Sequence, residues 1–448
     1  MKLRLRLLLA GILLAGLCTA WMAVSLAEDP DSNWPQWRGP GGQGIFEDHK
    51  LPLEWDSARN VLWKAAIPGI GHSSPVIWGD KIFLTAAIQG SKLEKPTAIK
   101  HFMNGEEFQH PQWSGSDYTW TLQLLCLDRL SGRILWKKTA YQGKVYDHIH
   151  QRGSYASTTP VTDGQSVWIY FGPEGLFRYD LEGNQKWKKS LGGVGTLGMG
   201  TGTSPVLYKD KLIVVADQEM DGKDSYMAAF DKQSGHELWR VKRTMRISWA
   251  TPLLVETDNG LQLVVSGAEK VVSYHPETGK ELWRTEGVVS HAIPSPVSGG
   301  ELVYVSAGAQ AKRTMALRLG SDEELGDQER IAWRYDKGAA YVPSPIYYQG
   351  YFYLISDRGV ITCLEARSGE VVYEDRMPEA GSIKSSLVAG DGKVYVSNEE
   401  GKTFVIKAGP EFEVLAINSI GEPIRASLAV SRGTIYLRGA EHLYAIGQ

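Results

Sequence analysis

The sequence predicts an all-β chain closed into an eight-bladed β-propeller of four-stranded antiparallel blades. Three observations carry that expectation: a ten-residue phrase that recurs along the chain, a second phrase that recurs out of phase with it, and a strand missing at one end and supplied at the other.

The first phrase is "LDRLSGRILW" at 127–136, "FDKQSGHELW" at 230–239 and "YHPETGKELW" at 274–283. Its core is an acidic or polar residue, a glycine four later and a large aromatic four after that. Asp128/Gly132/Trp136, Asp231/Gly235/Trp239, His275/Gly279/Trp283 and Glu365/Gly369/Tyr373 keep the spacing, and Asp180/Gly183/Trp187 is one residue short. Each copy reads as strand, turn, strand. The acid accepts hydrogen bonds from the turn's own amides, and glycine supplies the positive φ that closes it.

The second phrase begins with "HSSPVIWGDKIFLTA" (72–86) and "STTPVTDGQSVWIYF" (157–171), and its eighth copy is "IRASLAVSRGTIYLR" (424–438). Each is a short strand, a Gly/Asp/Asn turn and a β-branched or aromatic strand. Joined to the first phrase, it gives four strands per repeat, A to D, and tandem units of this kind read as propeller blades. Strand D carries the aromatic: Trp63, Trp136, Trp187, Trp239, Trp283, Trp333 or Tyr373. An indole buries roughly 150–250 Å² and offers one N–H, so each is expected to dock in the wedge between blades.

Closure follows from the ends. The last repeat stops at "HLYAIGQ" after its third strand, and "NVLWKAAIPG" (60–69) supplies a fourth with Trp63 in place. An N-terminal strand D completing C-terminal strands A to C leaves no sheet edge open at the junction.

The organisation expected is a signal peptide at 1–27, an N-terminal tether at 28–59 and the propeller at 60–448 with an insertion at 88–120. Lys2, Arg4 and Arg6 precede a long apolar run and Ser25-Leu26-Ala27, the layout of a cleaved secretory signal. The run also has the length of a retained anchor through residues 7–27. The chain is therefore expected to be exported, periplasmic or associated with the cell envelope, and a monomer. Lys+Arg 48 against Asp+Glu 51 leaves no basic field for nucleic acid.

The Asp-x-x-x-Gly-x-x-x-Trp phrase resembles the tryptophan-docking repeat of the pyrroloquinoline-quinone (PQQ) repeat superfamily over nearly all of the mature chain. That superfamily includes quinoprotein alcohol dehydrogenases and BamB-like propellers of outer-membrane barrel assembly. "NWPQWRGPGGQG" (33–44), "GHSSPVIWGDKIFLTAA" (71–87) and "SYASTTPVTDG" (154–164) look most like its secreted planctomycete-type members. The resemblance implies, for the dehydrogenases, PQQ held under an adjacent-cysteine disulfide, over a tryptophan floor and beside Ca²⁺. Adjacent cysteines are absent here. Past the signal only Cys126 and Cys363 remain, at the same repeat position in blades 1 and 6. Blades so far apart cannot bring two Cα atoms within about 7 Å, so both are expected as buried free thiols.

In a four-stranded meander the D-to-A and B-to-C connections share one face. The irregular segments all fall there, and variation on one rim of a repeat scaffold is where binding is expected. The rim candidates for a ligand or partner are His72, Phe108, Trp113, His148, His150, Arg152, Asp217, Gln218, Trp249, His291, Lys384 and Arg425. Trp249 could lie near the axis as a stacking floor or line the pore as a core aromatic. His148 and His150 with Arg152 have extended-strand spacing for a metal site, but no further ligand completes it, and a hydrogen-bonded loop is the expectation. Lys384 and Arg425 hold equivalent positions on blades 7 and 8, either as a cationic patch or paired with rim acids such as Asp357 or Glu399. The 88–120 insertion, with Phe102, Met103, Phe108, Trp113, Tyr118 and Trp120, is a lid, a docking arm or rim cover. "NWPQWRGP" is read as a stabilising tether that crosses a face of the propeller and stacks Trp34 and Trp37 against neighbouring blades or arginines.

No Gly-x-Ser-x-Gly elbow, phosphate loop, His-Glu-x-x-His or paired-cysteine metal motif occurs. The expectation is a non-catalytic, protein-binding scaffold with an envelope protein as partner, no catalytic residue, no cofactor and no metal. The alternatives are a PQQ- and calcium-dependent dehydrogenase centred on Trp249, and a propeller that binds carbohydrate or another small ligand.

Overall fold

The computed structural model describes residues 32–47, 51–95, 98–103, 105–289, 291–320, 325–326 and 328–448. The expected signal segment lies outside these residues. The chain forms eight four-stranded antiparallel sheets, all but the closing one built from strands in chain order, and so has the eight blades read from the repeats. Blade 1 runs Val76–Trp78, Lys81–Lys92, Tyr118–Asp128 and Ile134–Lys144 as strands A to D.

The ring closes as anticipated. Val61–Ala66 pairs antiparallel with His442–Ile446, Trp63 opposite Ala445 and Ala66 opposite His442. Blade 8 is thus one N-terminal strand added to three C-terminal ones. Every residue of strand B is buried in blades 2, 3 and 8, and all but the first one or two in blades 4 to 7, because both faces of a mid-blade strand meet a neighbouring blade. Strand D instead alternates, with half-buried residues facing the next blade and exposed ones facing solvent, as in Val61–Ala66 and Ile134–Lys144.

The recurring tryptophan and the recurring glycine belong to adjacent blades. Trp63, Trp136, Trp187 and Trp333 donate their indole N–H to the carbonyl of Arg129, Leu181, Lys232 and Ala366 at 2.9–3.2 Å. Each acceptor directly follows the acid of the next blade's turn. In those turns Gly132, Gly183, Gly235 and Gly369 lie flat beneath the indole. A Cβ at Gly132 would stand 2.5 Å from Trp63, and one at Gly369 2.6 Å from Trp333. The phrase therefore needs glycine twice over, for φ of +76° at Gly369 and for the indole's approach. Trp283 departs from the pattern. Fully buried, it donates to Gln262 Oε1 of its own blade at 2.8 Å and stacks under the Arg330 guanidinium at 4.5 Å.

Cys126 and Cys363 are buried free thiols, and burial pushes both up to about 12.

Residues 34–46 of the N-terminal tether occupy the central channel. Trp34 and Ile77 exchange both backbone hydrogen bonds at 2.8–2.9 Å, joining the tether to strand A of blade 1. Pro35 accepts from Thr162 in blade 2, and Gln43 and Ser298 in blade 5 bond reciprocally. Ile45 pairs parallel with Ala389 in blade 7. Inner strands have an unpaired edge at the axis, and the tether covers it at blades 1, 2, 5 and 7. Trp34 is 1% exposed. The first half of the tether thus binds the ring from inside the pore rather than across a face, and the second half reaches the outer strand of blade 7, where the Trp55 amide donates to Asn418 Oδ1 at 2.8 Å and Asn418 Nδ2 donates to the Leu53 carbonyl at 3.0 Å.

Candidate functional site

The sequence "Ser-Pro-Val" at each strand A builds the axis. The hydroxyl residue before the proline, Ser74, Thr159, Ser204, Thr251, Ser295 or Ser344, and its counterparts Ser386 and Ser427, form a ring. The backbone N–H of each donates to the next blade's hydroxyl, in seven bonds of 2.8–3.2 Å from Ser74 to Ser427. Proline cannot donate, so the preceding amide is the one available, and a side-chain acceptor satisfies it where no strand partner exists. At the eighth junction Arg438 of blade 8 takes over. It donates to the Ser73 carbonyl and hydroxyl at 3.0 and 2.6 Å and to the Thr85 carbonyl at 2.8 Å. Burial with no acid beside it lowers this guanidinium to about 9.

Two residues before each ring hydroxyl stands a second tier: His72, Ser157, Gly202, Trp249, Ile293, Val342, Lys384 and Arg425. All eight line one cavity of about 930 Å³ that opens on the rim face, with Trp37 of the tether at its inner end. Trp37 donates to the Ser295 hydroxyl at 3.1 Å. The second tier is sided. Blades 7, 8 and 1 present Lys384, Arg425 and His72; blades 4, 5 and 6 present Trp249, Ile293 and Val342.

Lys384 Nζ pairs with Asp357 and Arg425 Nε donates to Glu399 Oε1 at 2.7 Å, so each cation has the acid its sequence neighbourhood offered. Arg152 approaches Glu399 at 3.6 Å. Three cations thus stand around the cavity beside two carboxylates, Arg152 and Arg425 against Glu399 and Lys384 against Asp357. His72 is held down to about 3, by burial first and by Arg425 and Arg438 next, so it is neutral, and its Nε2 is buried without a partner. Trp249 donates its indole N–H to Gly200 at 2.7 Å and meets His291 edge-on at 5.7 Å. It stands as a wall fixed by blade 3, with Trp37 holding the inner end.

The insertion is rim cover that also lines the mouth. A hairpin of His101–Met103 and Glu106–Phe108 and a two-residue pairing of Trp113–Ser114 with Ile149–His150 give it structure. Met103, Phe108, His110 and Gln112 contribute to the cavity. Its anchor is His101, 1% exposed, whose Nε2 contacts Asp147 Oδ1 at 2.8 Å and whose Nδ1 contacts Glu219 at 2.9 Å. Burial acts to lower this imidazole, but the two carboxylates outweigh it and hold it at about 9. Asp147 Oδ2 in turn accepts from the Thr196 amide and hydroxyl at 3.0 and 2.9 Å. These three side chains lie within reach of one metal ion. Both imidazole nitrogens already face a carboxylate, which is the arrangement of an imidazolium bridge. The clamp joins the insertion to the blade 1–2 and blade 3 loops.

Of the rim candidates read from sequence, His72, Phe108, His150, Arg152, Trp249, His291, Lys384 and Arg425 are brought to the cavity. Trp113 of the insertion stacks on His148 at 4.9 Å, and neither lines the cavity. His148 Nδ1 meets Ser116 Oγ at 2.8 Å and His150 Nε2 meets Gln112 at 3.0 Å, so the pair forms a hydrogen-bonded loop. Asp217 and Gln218 are corrected. Asp217 is fully buried against Arg243 at 2.7 Å, and Gln218 bridges Gly195 and Asp224, because a loop that re-enters the rim must satisfy its own polar groups. Sequence reasoning passed over the hydroxyl ring, whose signal was the residue before each repeated proline, and His101, Asp147 and Glu219, which share no spacing.

The donor set does not match the quinone-plus-calcium pattern that the superfamily's dehydrogenases imply. The cysteines are buried free thiols in blades 1 and 6, three positions apart on the ring, and the one carboxylate among the residues lining the cavity is engaged by Arg425 and Arg152. Calcium takes six to eight oxygens, with carboxylates prominent among them. No reaction step is drawn through either group.

Eight four-stranded blades, with a docking aromatic on the outer strand of seven of them, around a plugged axis define a PQQ-type repeat propeller. The chain belongs to the family described as outer membrane protein assembly factor BamB, whose profile matches residues 118–222 and 223–446. Among solved structures it is similar to BamB from Moraxella catarrhalis, with 12% identity, a TM-score of 0.52 and coverage of 81% of this chain and 100% of that one. It is also similar to the quinohemoprotein alcohol dehydrogenase ADHIIG from Pseudomonas putida HK5, with 10% identity, a TM-score of 0.57 and coverage of 93% and 80%. Identities this low speak to the fold alone. Comparison with curated proteins finds no match.

Proposed function

We propose that this chain is an exported, non-catalytic binding propeller of the cell envelope, a scaffold that holds a partner protein at the rim around its axial cavity. The observation that carries the reading is the cavity itself: about 930 Å³, open on the irregular face, and lined by an apolar arc and a cationic one. A preformed concave site with few convergent polar groups is a binding site by its physics. Support comes from the family's description as an assembly factor and from a clamp that fixes the insertion beside the mouth. The reading expects no cofactor.

The test is photocrosslinking in the periplasm from Phe108 and Met199 at the mouth, with Lys188 on the outer strand of blade 2 as control. One discrete adduct common to both mouth positions and absent at Lys188 is expected. Equal adducts from Lys188 would remove the rim from the reading. In parallel, purified protein is titrated with PQQ and Ca²⁺ and assayed for dye-linked alcohol oxidation. Saturable binding with turnover, both lost in Trp249→Ala, would replace the scaffold with a dehydrogenase.

A further inference from the structure

The inner end of the cavity holds donors that the fold does not use. Ser204, Thr251, Ser295, Ser344, Ser386 and Ser427 line it and are 2–7% exposed. Each oxygen accepts the amide of the preceding blade. A hydroxyl also carries one proton to donate, and among the described residues none of the six has an acceptor for it. A hydroxyl whose lone pair is already engaged by an N–H is the stronger donor for it. Six such donors converge on the axis.

Beside them, Arg425 gives only Nε to Glu399, leaving Nη1 and Nη2 without an acceptor among the described residues, and Lys384 Nζ contacts only Asp357. A guanidinium fork of this kind matches a carboxylate. Diametrically across an eightfold ring from blade 8 is blade 4, so Arg425 faces Trp249, which is followed by Ile293 and Val342. The cup is therefore built for an anionic head on one side and an apolar body on the other.

Resting on the scaffold reading above, we propose that the cup receives the carboxyl terminus of an extended partner polypeptide that ends in apolar side chains. The terminal carboxylate sits on Arg425, Lys384 and the hydroxyl ring, and the last side chains pack on Trp249, Ile293 and Val342. A chain end fits better than a free small acid because the mouth stays open. Exposed Gln112, Arg152 and Gln310 border it, and the His101 bridge holds the insertion in place. Small ligands are held by enclosing most of their surface, whereas a chain end continues out through the opening. Met103, Met199 and Met220 on the lip are flexible thioethers that repack around varied side chains.

The test is fluorescence anisotropy of the full mature protein with a dye-labelled hexapeptide ending in two leucines and a phenylalanine, as free acid and as C-terminal amide, with dodecanoate as the small-acid probe. The free acid is expected to bind about tenfold more tightly than the amide. Arg425→Gln and, separately, Lys384→Met should erase most of that preference, with unchanged circular dichroism showing that each variant is folded. Equal binding of acid and amide overturns the proposal, as does binding of neither. In both cases the mouth crosslinks from Phe108 and Met199 decide independently whether the scaffold reading stands. Binding of dodecanoate without binding of the peptide overturns the polypeptide source.

Discussion

The Ser74 amide donates to the Thr159 hydroxyl at 3.0 Å, across 85 residues of sequence and one blade boundary. Six more bonds of the same kind carry the ring round to Ser427, and Arg438 bonds across the remaining junction to Ser73 and Thr85. The closing seam is therefore chemically different from the other seven.

Arg438→Met should open that seam first. It leaves the Ser73 and Thr85 carbonyls buried without donors, at a cost of roughly 2–3 kcal/mol. Urea unfolding measures the loss. Hydrogen exchange should show faster amides in Val61–Ala66 and His442–Ile446 than in the wild type, with blades 3 to 5 unchanged.

Gly369→Ala tests why the repeated phrase needs its glycine. The substitution places a methyl group 2.6 Å from Trp333 at φ +76°, so strain and a displaced indole act together. A loss of about 2 kcal/mol or more is expected. Gly392→Ala, also at positive φ but with open space around it, should lose about 1 kcal/mol. Equal losses in thermal unfolding would mean that indole contact contributes nothing.

His101→Leu should free the insertion, since it leaves Asp147 buried beside no cation. Losing one partner of such a pair costs about 3–5 kcal/mol. The change is local, so limited proteolysis within 98–112 reports it better than global unfolding. The pH dependence has a definite sign. A histidine raised from 6.5 to about 9 contributes fully below 6.5 and loses its contribution as pH rises through 9. Asp147 is lowered, despite burial, by His101 and Thr196, so its share is lost as pH falls below the ordinary carboxylate range. Wild-type protein should resist cleavage at pH 7 and become susceptible at pH 10, while the leucine variant is cleaved at both.

Glu174→Gln should stabilise the protein at pH 8 and do little at pH 5. Burial raises this carboxyl from 4.5 to about 7, against the pull of its hydrogen bond from the Tyr146 amide at 2.9 Å. A raised acid favours the protonated fold, so stability falls as pH climbs from 4.5 through 7. The amide keeps the acceptor without the charge, for a gain of roughly 2–3 kcal/mol at pH 8. Urea midpoints at the two pH values measure it.

The repeat phrases made blade number, strand order and the Trp63 closure legible, because each blade must present the same turn and the same indole to its neighbour. The axis was half legible. Trp249, Lys384 and Arg425 are legible as rim residues, and their common offset from the ring hydroxyl puts them on one tier. Asp217 and Gln218 turn into their own loop, whereas Glu219, next in line, is the one that reaches the clamp. A loop's side chains alternate between its own interior and its neighbours, and no periodicity says which.

What the sequence by itself determined is the repeating unit and its closure, because strand alternation, turn glycines and docking indoles are local and periodic properties that each blade satisfies in the same way. Only the tertiary structure decided which side chains meet. The tether's place inside the pore, the bridge from His101 to Asp147 and Glu219, and the facing of Arg425 by Trp249 each join segments with no fixed spacing. Their contacts exist only once the eight blades have closed around a common axis.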